Sequence, residues 1–224
     1  MSGFDPRNRI TIICEGKTEF NYFNGFKKNC ISSLSITNVE IGSGDYSLVL
    51  RKIKNISPIG TVARFVVIDL DRYIKINGEK DNFNALLNYC NKENRKGNPL
   101  FIIASNPDFD FFVLNHLKSY NGNNKFEFIK NNFGYKNLND FKNDENIFFR
   151  FNIKGDEYKT VISRFNKKFP VENRYIIDKK FNIKKANVVF EPENLNVKTS
   201  NIIDLFKILW LRDVNRYYIL YWNK

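Results

Sequence analysis

Short continuous apolar runs alternate with segments of helical periodicity through the first 120 residues of this 224-residue chain. Residues 10–14, 62–68 and 100–104 form the clearest runs, and such runs are typical of strands buried on both faces of a parallel sheet. Residues 34–41 alternate apolar and polar positions, which predicts a further, less buried strand. The pattern favours an α/β sandwich with a largely parallel sheet.

Helical periodicity follows each of these predicted strands. The first helix carries Phe20, Phe23 and Phe26 on one face, and we expect these side chains to be core rather than a surface for stacking bases. Pro107 is well placed in the first turn of the helix that follows the strand at residues 100–104. The later helices are predicted over residues 46–56, 82–93 and 107–117.

The periodicity weakens beyond residue 120. Residues 199–212 predict an amphipathic helix, residues 161–169 a second helix, and residues 174–187 a strand with a loop. We therefore predict an α/β core over residues 1–120 with an α+β elaboration over residues 121–224 packed on it, or one single domain.

The chain is strongly basic, with 36 Lys and Arg against 24 Asp and Glu and a formal charge of +12. This balance suits a polyanionic partner such as nucleic acid, although the Asn-, Lys- and Ile-rich composition supplies an alternative origin for the lysines. Contacts to a nucleic-acid backbone are predicted for Lys17, Arg51, Lys52, Lys54, Arg72, Lys179, Lys180, Lys184 and Lys185.

The cysteine and histidine content limits the cellular compartment and the kinds of metal site that we expect. Three cysteines with no CxxC pair, and no apolar export signal before residue 10, predict a protein of the reducing cytoplasm. No stretch approaches the roughly 18 apolar residues of a membrane-spanning helix, so no membrane partner is expected. His116 is the one histidine, which excludes a multi-histidine metal site and leaves metal chemistry to carboxylates.

Polar residues follow three of the predicted strands. Glu15 follows the first, Asp69 and Asp71 the strand at residues 62–68, and Ser105 with Asn106 the strand at residues 100–104. In an open parallel sheet such residues meet in the crevice beyond the carboxyl ends of the strands. On an extended backbone Asp69 and Asp71 would project to the same side, about 7 Å apart. Their mutual repulsion would be offset by Mg²⁺ or Mn²⁺, and Glu15 would be a further ligand or the general acid or base.

Gly16-Lys17-Thr18 after a buried strand invites comparison with a phosphate-binding P-loop. That loop requires another glycine five residues before Gly16, where this chain has Thr11, so a nucleotide-hydrolysing P-loop is disfavoured. Lys17 is then either a point charge for a phosphate or a solvated side chain.

Three sequence blocks contain these polar residues. They are Cys14-Glu15-Gly16-Lys17-Thr18-Glu19 with Tyr22-Phe23, then Asp69-Leu70-Asp71, then Ser105-Asn106-Pro107-Asp108-Phe109-Asp110 with His116. Together, with their spacing, the blocks resemble the RloB-like family of Toprim-domain proteins. The resemblance spans most of the chain and is strongest up to about residue 117, with a further similarity over residues 196–205.

The resemblance implies a compact Toprim-like, Rossmann-like α/β fold in which Glu15 is the catalytic glutamate and Asp69 and Asp71 bind the metal. It also implies a nuclease of bacterial restriction loci or antiphage defence. Where the family usually has glutamate and tryptophan in the third block, this chain has Asp110 and Phe112. Asp110 keeps the charge with a shorter reach and is the candidate additional ligand.

Other residues of these blocks have simpler structural explanations. Asn106 is expected to cap the helix that begins at Pro107 rather than to take part in catalysis. Asp108 and Asp110 would favour the positive N-terminus of that helix, and Glu19 would do the same in the first helix. His116 is more often a packed histidine than a base at such a position.

Two function classes follow from these observations. The leading hypothesis is a metal-dependent endonuclease that cleaves RNA such as tRNA, or DNA. The alternative is a nucleic-acid-binding or regulatory subunit that acts through a partner such as a defence ATPase. The presence of Glu15, Asp69 and Asp71 favours the enzyme, and a monomer and a homodimer are both compatible with the sequence.

Overall fold

The computed structural model describes residues 9–29, 35–42, 44–153, 157, 161, 175–177, 183–185 and 198–213. The strands are β1 (Arg9–Cys14), β2 (Ser35–Glu40), β3 (Ala63–Asp69), β4 (Leu100–Asn106), β5 (Tyr175–Ile177), β6 (Ile183–Lys185) and β7 (Thr199–Ser200). The helices are α1 (Lys17–Asn29), α2 (Tyr46–Lys54), α3 (Asp71–Lys75), α4 (Glu79–Arg95), α5 (Phe109–Leu114), α6 (Lys125–Phe133), α7 (Leu138–Asn143), α8 (Ile147–Phe151) and α9 (Ile202–Asp213).

The main sheet has the order β2-β1-β3-β4-β7. Its first four strands are parallel, and the short β7 pairs antiparallel to β4. The predicted α/β fold is therefore confirmed as a Rossmann-like parallel sheet flanked by helices. The chain leaves β1 towards β2 on one side and returns to β3 on the other, so the strand order reverses around β1, and crevices at such reversals are where open α/β sheets bind ligands.

Both faces of the sheet are buried, which explains the continuous apolar runs. Alternate residues of β1 and β3, such as Ile12 and Val67, pack in one apolar cluster with α1, α5 and α9. The intervening residues, such as Ile13 and Val66, pack in a second cluster with α2 and α4. Phe23 and Phe26 are buried in the first cluster, as predicted.

Arg64 is a charged residue inside the apolar run of β3, and 1% of it is exposed. Its guanidinium donates to the Ile56 carbonyl at 2.9 Å and lies 3.5 Å from the Glu93 carboxylate of α4. Burial of this charge is tolerated because it is paired and hydrogen-bonded.

The helix after β4 begins later than predicted. β4 continues to Asn106, the Asn106–Pro107 peptide bond is cis, and α5 begins at Phe109. The N-cap is Asp108, whose carboxylate accepts the Phe111 N–H at 2.9 Å. The expectations that Pro107 begins the helix and that Asn106 caps it are both wrong, because the Asp108 side chain satisfies the free N–H of the first turn instead.

Helices α6, α7 and α8 were not predicted from the sequence. Each has only five to nine residues, too few for a clear helical periodicity. The sequence feature that could have indicated helices α6 and α7 is the asparagine before each of them. The side chains of Asn124 and Asn137 cap these helices by accepting the N–H groups of Glu127 and Asp140. Ile129, Phe141, Phe148 and Phe151 of these helices belong to the same apolar cluster as α1.

Gly25 of α1 lies directly against α8. A Cβ added to Gly25 would lie 2.3 Å from the Phe148 Cβ. Neither atom moves when a side chain rotates, so Gly25→Ala would force the two helices apart. We expect a net destabilisation of about 2 kcal/mol, since overpacking outweighs the better helix propensity of alanine.

Thermal unfolding followed by circular dichroism would measure this change, with an expected fall in Tm of ~5 °C. Lys27→Ala, at an exposed position of α1, is the control and should leave Tm nearly unchanged. An unchanged or raised Tm for Gly25→Ala would contradict the packing of α8 on α1.

In the second half of the chain, β5 and β6 pair antiparallel within residues 174–187, where a strand with a loop was predicted. Val161 is helical, and the rest of the helix predicted over residues 161–169 lies outside the described residues. The helix predicted over residues 199–212 is α9, which begins at Ile202 after β7. Among the described residues, no helix is long and apolar enough to cross a membrane.

Candidate carboxylate site

Acidic side chains gather beyond the carboxyl ends of β1, β3 and β4, at the reversal of strand order. Glu15 follows β1, Asp69 ends β3, and Asp110 lies in α5 after β4. Register places Cys14 opposite Val67 and Asp69 opposite Ser105, so the three strands end close together. The structure therefore brings residues that are 41 to 95 positions apart in sequence to one edge of the sheet.

Glu15 is 7% exposed. Its Oε2 accepts the Asp69 backbone N–H at 3.1 Å, which ties the end of β1 to the end of β3. Burial raises the pKa of Glu15 to about 7, and the neighbouring Asp71 and Glu79 carboxylates add to the rise. The Asp69 N–H and the Arg72 guanidinium act in the opposite direction, but burial outweighs them.

Asp69 holds the start of α5. Its Oδ1 accepts the Phe109 backbone N–H at 2.7 Å. Burial raises the pKa of Asp69 well above its usual range, and repulsion from Glu19, Glu15 and nearby aspartates raises it further. Desolvation and like charges both oppose ionisation, so a cation would stabilise this carboxylate.

Asp71 does not lie on an extended backbone. Leu70 has φ −97° and ψ 0°, and α3 begins at Asp71. The prediction of two carboxylates projecting side by side from a strand is thus wrong, because the chain turns into a helix immediately after Asp69. Asp71 is more exposed than Glu15 and pairs with Lys75 at 3.4 Å.

Glu19 belongs to the carboxylate site as well as to the first turn of α1. It is 4% exposed, and burial, with repulsion from Asp110 and Glu15, raises its pKa to about 8. A Cβ on Gly16 would lie 3.0 Å from the Glu19 Oε2, so the glycine leaves room for this carboxylate. Helix-dipole chemistry alone would have left Glu19 at the surface.

Asp110 forms an ion pair with a lysine, Lys125. Lys125, the first residue of α6, lies 2.7 Å from the Asp110 Oδ2 and 2.8 Å from the Asp108 Oδ2. Burial raises the pKa of Asp110, and the Lys125 charge acts against this rise. No sequence pattern indicated Lys125, which lies 15 residues after Asp110 in a helix that was not predicted.

Tyr46 clamps the turn that carries Asp69 and Asp71. Its buried hydroxyl donates to the Asp69 carbonyl at 2.6 Å and accepts the Tyr73 N–H at 3.2 Å. The backbone N–H of Tyr46 donates to the Glu79 carboxylate at 3.0 Å, which joins α2 to α4.

Tyr46→Phe should destabilise the protein by about 1–3 kcal/mol, because the buried Asp69 carbonyl and Tyr73 N–H lose their common partner. Urea unfolding would measure the loss. Tyr89→Phe removes a hydroxyl from a half-buried tyrosine of α4 and should cost much less. Equal losses in the two variants would show that the clamp contributes nothing.

The described basic residues that were predicted to contact a nucleic-acid backbone separate into two groups, those with a polar partner or a buried donor atom and those that are exposed. Lys17 pairs with Glu40 at 3.0 Å, and the Lys52 ammonium donates to the Ile41 carbonyl, so both lie at the carboxyl end of β2. Arg72 follows Asp71, and among the described residues its buried Nε has no acceptor. Arg51 and Lys54 are exposed in the last turn of α2, which also contains Lys52.

The remaining basic positions are only partly described. Lys184 and Lys185 belong to β6, whereas Lys179 and Lys180 lie outside the described residues.

The other predicted polar residues are buried in structural roles. His116 is 3% exposed, its Nδ1 donates to the Val113 carbonyl at 2.8 Å, and its Nε2 lies 2.9 Å from the Tyr22 hydroxyl. The Ser105 hydroxyl bonds the Ser200 hydroxyl at 2.9 Å, which joins β4 to β7. Asn106 is 3% exposed at the end of β4.

The donor set fits a hard divalent cation in its chemistry. Within the described part of the chain, no three His, Cys, Asp or Glu side chains are already arranged to hold a metal ion. Glu15 and Asp69 each accept a backbone N–H with one carboxylate oxygen. Each retains its second oxygen, and carboxylate oxygens are the ligands that Mg²⁺ and Mn²⁺ prefer.

Comparison with known proteins places the chain in a family. A family model described as RloB-like protein matches residues 10–186. Neither the curated proteins nor the solved structures provide a match. The matched span includes Glu15, Glu19, Asp69, Asp110 and Lys125. Because the match covers most of the chain, this protein belongs to the RloB-like protein family.

Proposed function

We propose that this protein cleaves phosphodiester bonds of nucleic acid with the help of a divalent cation, Mg²⁺ or Mn²⁺. The observation that supports this most is the convergence of Glu15, Glu19 and Asp69, all with raised pKa values, at the reversal of strand order. Clusters of titratable groups with strongly shifted pKa values occur preferentially at functional sites.

A cation is the natural partner of this cluster. Buried carboxylates that repel each other destabilise the fold unless they are protonated or neutralised. Asp69 and Asp71 would hold the ion, with Glu15 and Glu19 beside them. When bound, it would neutralise charge that develops on the phosphoryl group and lower the pKa of a water molecule.

The side chains of the protein supply the remaining functions. Glu15 has a pKa of about 7, so it exchanges a proton near neutral pH and suits a general acid or base. Arg72 lies beside Glu15, and Lys17 and Lys52 lie at the carboxyl end of the adjacent strand β2. These three cations would hold the backbone phosphates without reading sequence. The net charge of +12 would favour the approach of a polyanion.

Family membership supports the biological setting that we propose. The resemblance to RloB-like proteins implies a Toprim-type nuclease that acts as an effector of a bacterial antiphage defence or restriction-associated system. Both RNA such as tRNA and DNA remain candidate substrates.

The direct test is cleavage of labelled tRNA, single-stranded RNA and duplex DNA, with Mg²⁺, Mn²⁺ or a chelator. We expect cutting of one substrate class that the chelator abolishes. Binding without cutting, in every metal and on every substrate, would instead support a regulatory subunit. Addition of a partner ATPase would then show whether that subunit has an activating partner.

Arg72 and Arg51 offer a matched comparison for nucleic-acid binding, since Arg72 lies beside Glu15 and Arg51 is exposed in the last turn of α2. Arg72→Ala should weaken binding and reduce the slope of log K against log salt by about 0.9 in duplex DNA, the value of one lost phosphate contact. Arg51→Ala should change the slope less, as titrations at several salt concentrations would show. A larger effect at Arg51 would instead place the interface on the exposed side of the last turn of α2.

A further inference from the structure

Lys125 is a half-buried cation held between two carboxylates at the edge of the candidate site. Its ammonium lies 2.8 Å from Asp108 and 2.7 Å from Asp110, and 24% of the lysine side chain is exposed. Asp110 itself is 4% exposed. Since a half-buried ion pair is screened less than a surface pair, this contact is a fixed part of the site's charge.

The backbone conformation at the start of α6 fixes the position of Lys125. Asn124, the N-cap of α6, has φ +37°, in the left-handed region where asparagine is tolerated better than most residues. Its side chain accepts the Glu127 N–H at 3.3 Å, so the first turn of α6 is capped where the lysine begins it. Lys125 therefore points its charge at α5 from a structured helix start, not from a free loop.

The carboxylates divide into two groups by their partners. Glu15 and Asp69 are bonded to backbone N–H groups, whereas Asp108 and Asp110 share the ammonium of Lys125. Asp108 also keeps an oxygen on the Phe111 N–H as the cap of α5. A divalent cation beside Asp110 would have to displace Lys125 or lie against its positive charge.

We infer that Lys125 takes the place of a second divalent cation, so that the site binds one metal ion, on the Glu15 and Asp69 side, and Asp110 serves the lysine and not the metal. This inference rests on the proposed function. It concerns how many ions bind and where, so it can be tested without any measurement of cleavage.

The test is Mn²⁺ titration of the full chain by isothermal calorimetry, with free Mn²⁺ counted by electron paramagnetic resonance. We expect one Mn²⁺ in the wild type. Asp110→Asn should keep that ion with less than ~10-fold change in affinity, whereas Asp69→Asn should weaken binding more than ~100-fold, beyond the cost of an outer partner. Lys125→Met should bind a second Mn²⁺, and the matched variant Lys130→Met, at an exposed lysine of the same helix, should bind one.

Several results would overturn the inference. They are two ions in the wild type, loss of the ion in Asp110→Asn, or one ion in a folded Lys125→Met. If Lys125→Met does not fold, the double variant Lys125→Met with Asp110→Asn removes both charges, and it should bind one ion. No ion in this double variant would also overturn the inference.

The proposed function can fail separately. No Mn²⁺ binding by the wild type would end both proposals. One ion that depends on Asp69 but not on Asp110, in a protein that cuts no substrate, would end the proposed nuclease and leave the role of Lys125 standing.

Discussion

Replacing Glu15 with glutamine should lower the rate of phosphodiester cleavage by about 10²–10⁴-fold, the range expected for loss of a general acid or base. The glutamine oxygen can still accept the Asp69 N–H, so the link between β1 and β3 survives. What is lost is the negative charge and the proton exchange near neutral pH. Single-turnover cleavage of the preferred substrate would measure the effect.

Glu40→Gln is the matched control, because Glu40 ends the neighbouring strand and pairs with Lys17 outside the carboxylate cluster. Its cleavage rate should stay close to that of the wild type. Circular dichroism must show that all the proteins are folded. A Glu15→Gln protein that cleaves at the wild-type rate would show that Glu15 is not a general acid or base. An equal fall in the cleavage rate of Glu40→Gln would show that any lost negative charge has this effect.

The second large effect concerns stability without metal, which should fall as the pH rises from 5 to 8. Glu15 and Glu19 have pKa values of about 7 and about 8 in the folded protein, against 4.5 in an ordinary glutamate. Between these values the folded state binds more protons than the unfolded state, so the free energy of unfolding decreases with pH. The stabilisation is complete below pH 4.5 and is lost as the pH passes 7 to 8.

The raised pKa of Glu15 alone changes the free energy of unfolding by at most about 3 kcal/mol across this pH range, since each pKa unit corresponds to about 1.4 kcal/mol. A loss of this size would lower Tm by ~5–10 °C in a chain of this length. Asp45 and Glu93 have lowered pKa values and titrate below this window, so they do not mask the trend.

Differential scanning calorimetry in a chelator at pH 5, 6, 7 and 8 would measure this trend. Mg²⁺ or Mn²⁺ should raise Tm more at pH 8 than at pH 5, because the ion competes with protons for the same carboxylates. Glu15→Gln should flatten the dependence on pH in the chelator. Constant or rising stability from pH 5 to 8 would contradict the burial of these charges.

Much of the fold could be predicted from local sequence. β1, β3 and β4 were recognisable because a strand buried on both faces must be apolar at almost every position, and that requirement is visible in a short window. Helices α1 and α4 were long enough to show an apolar face. The identity of Glu15 and Asp69 as strand-end residues followed from the same runs.

Helices α6 to α8 could not be predicted in this way. Each buries only a few residues; those of α7 and α8 pack on α1, which is distant in sequence, and Ile129 of α6 belongs to the same apolar cluster. Periodicity needs several turns to become visible, whereas packing needs only two or three correctly placed aromatic side chains. The same limit hid Asp108 as a cap and the helical start at Asp71, since both depend on how the chain turns after a strand.

The sequence by itself determined the parallel sheet, the edge at which its polar residues meet, and the excess of carboxylates there. Only the tertiary structure decided how those carboxylates are shared. It buried Glu19 against Gly16, clamped the Asp69 turn with Tyr46, and assigned Asp110 to Lys125. The reason is physical: strand and helix formation depend on neighbours in sequence, whereas desolvation and charge pairing depend on distances that exist only after the chain has folded.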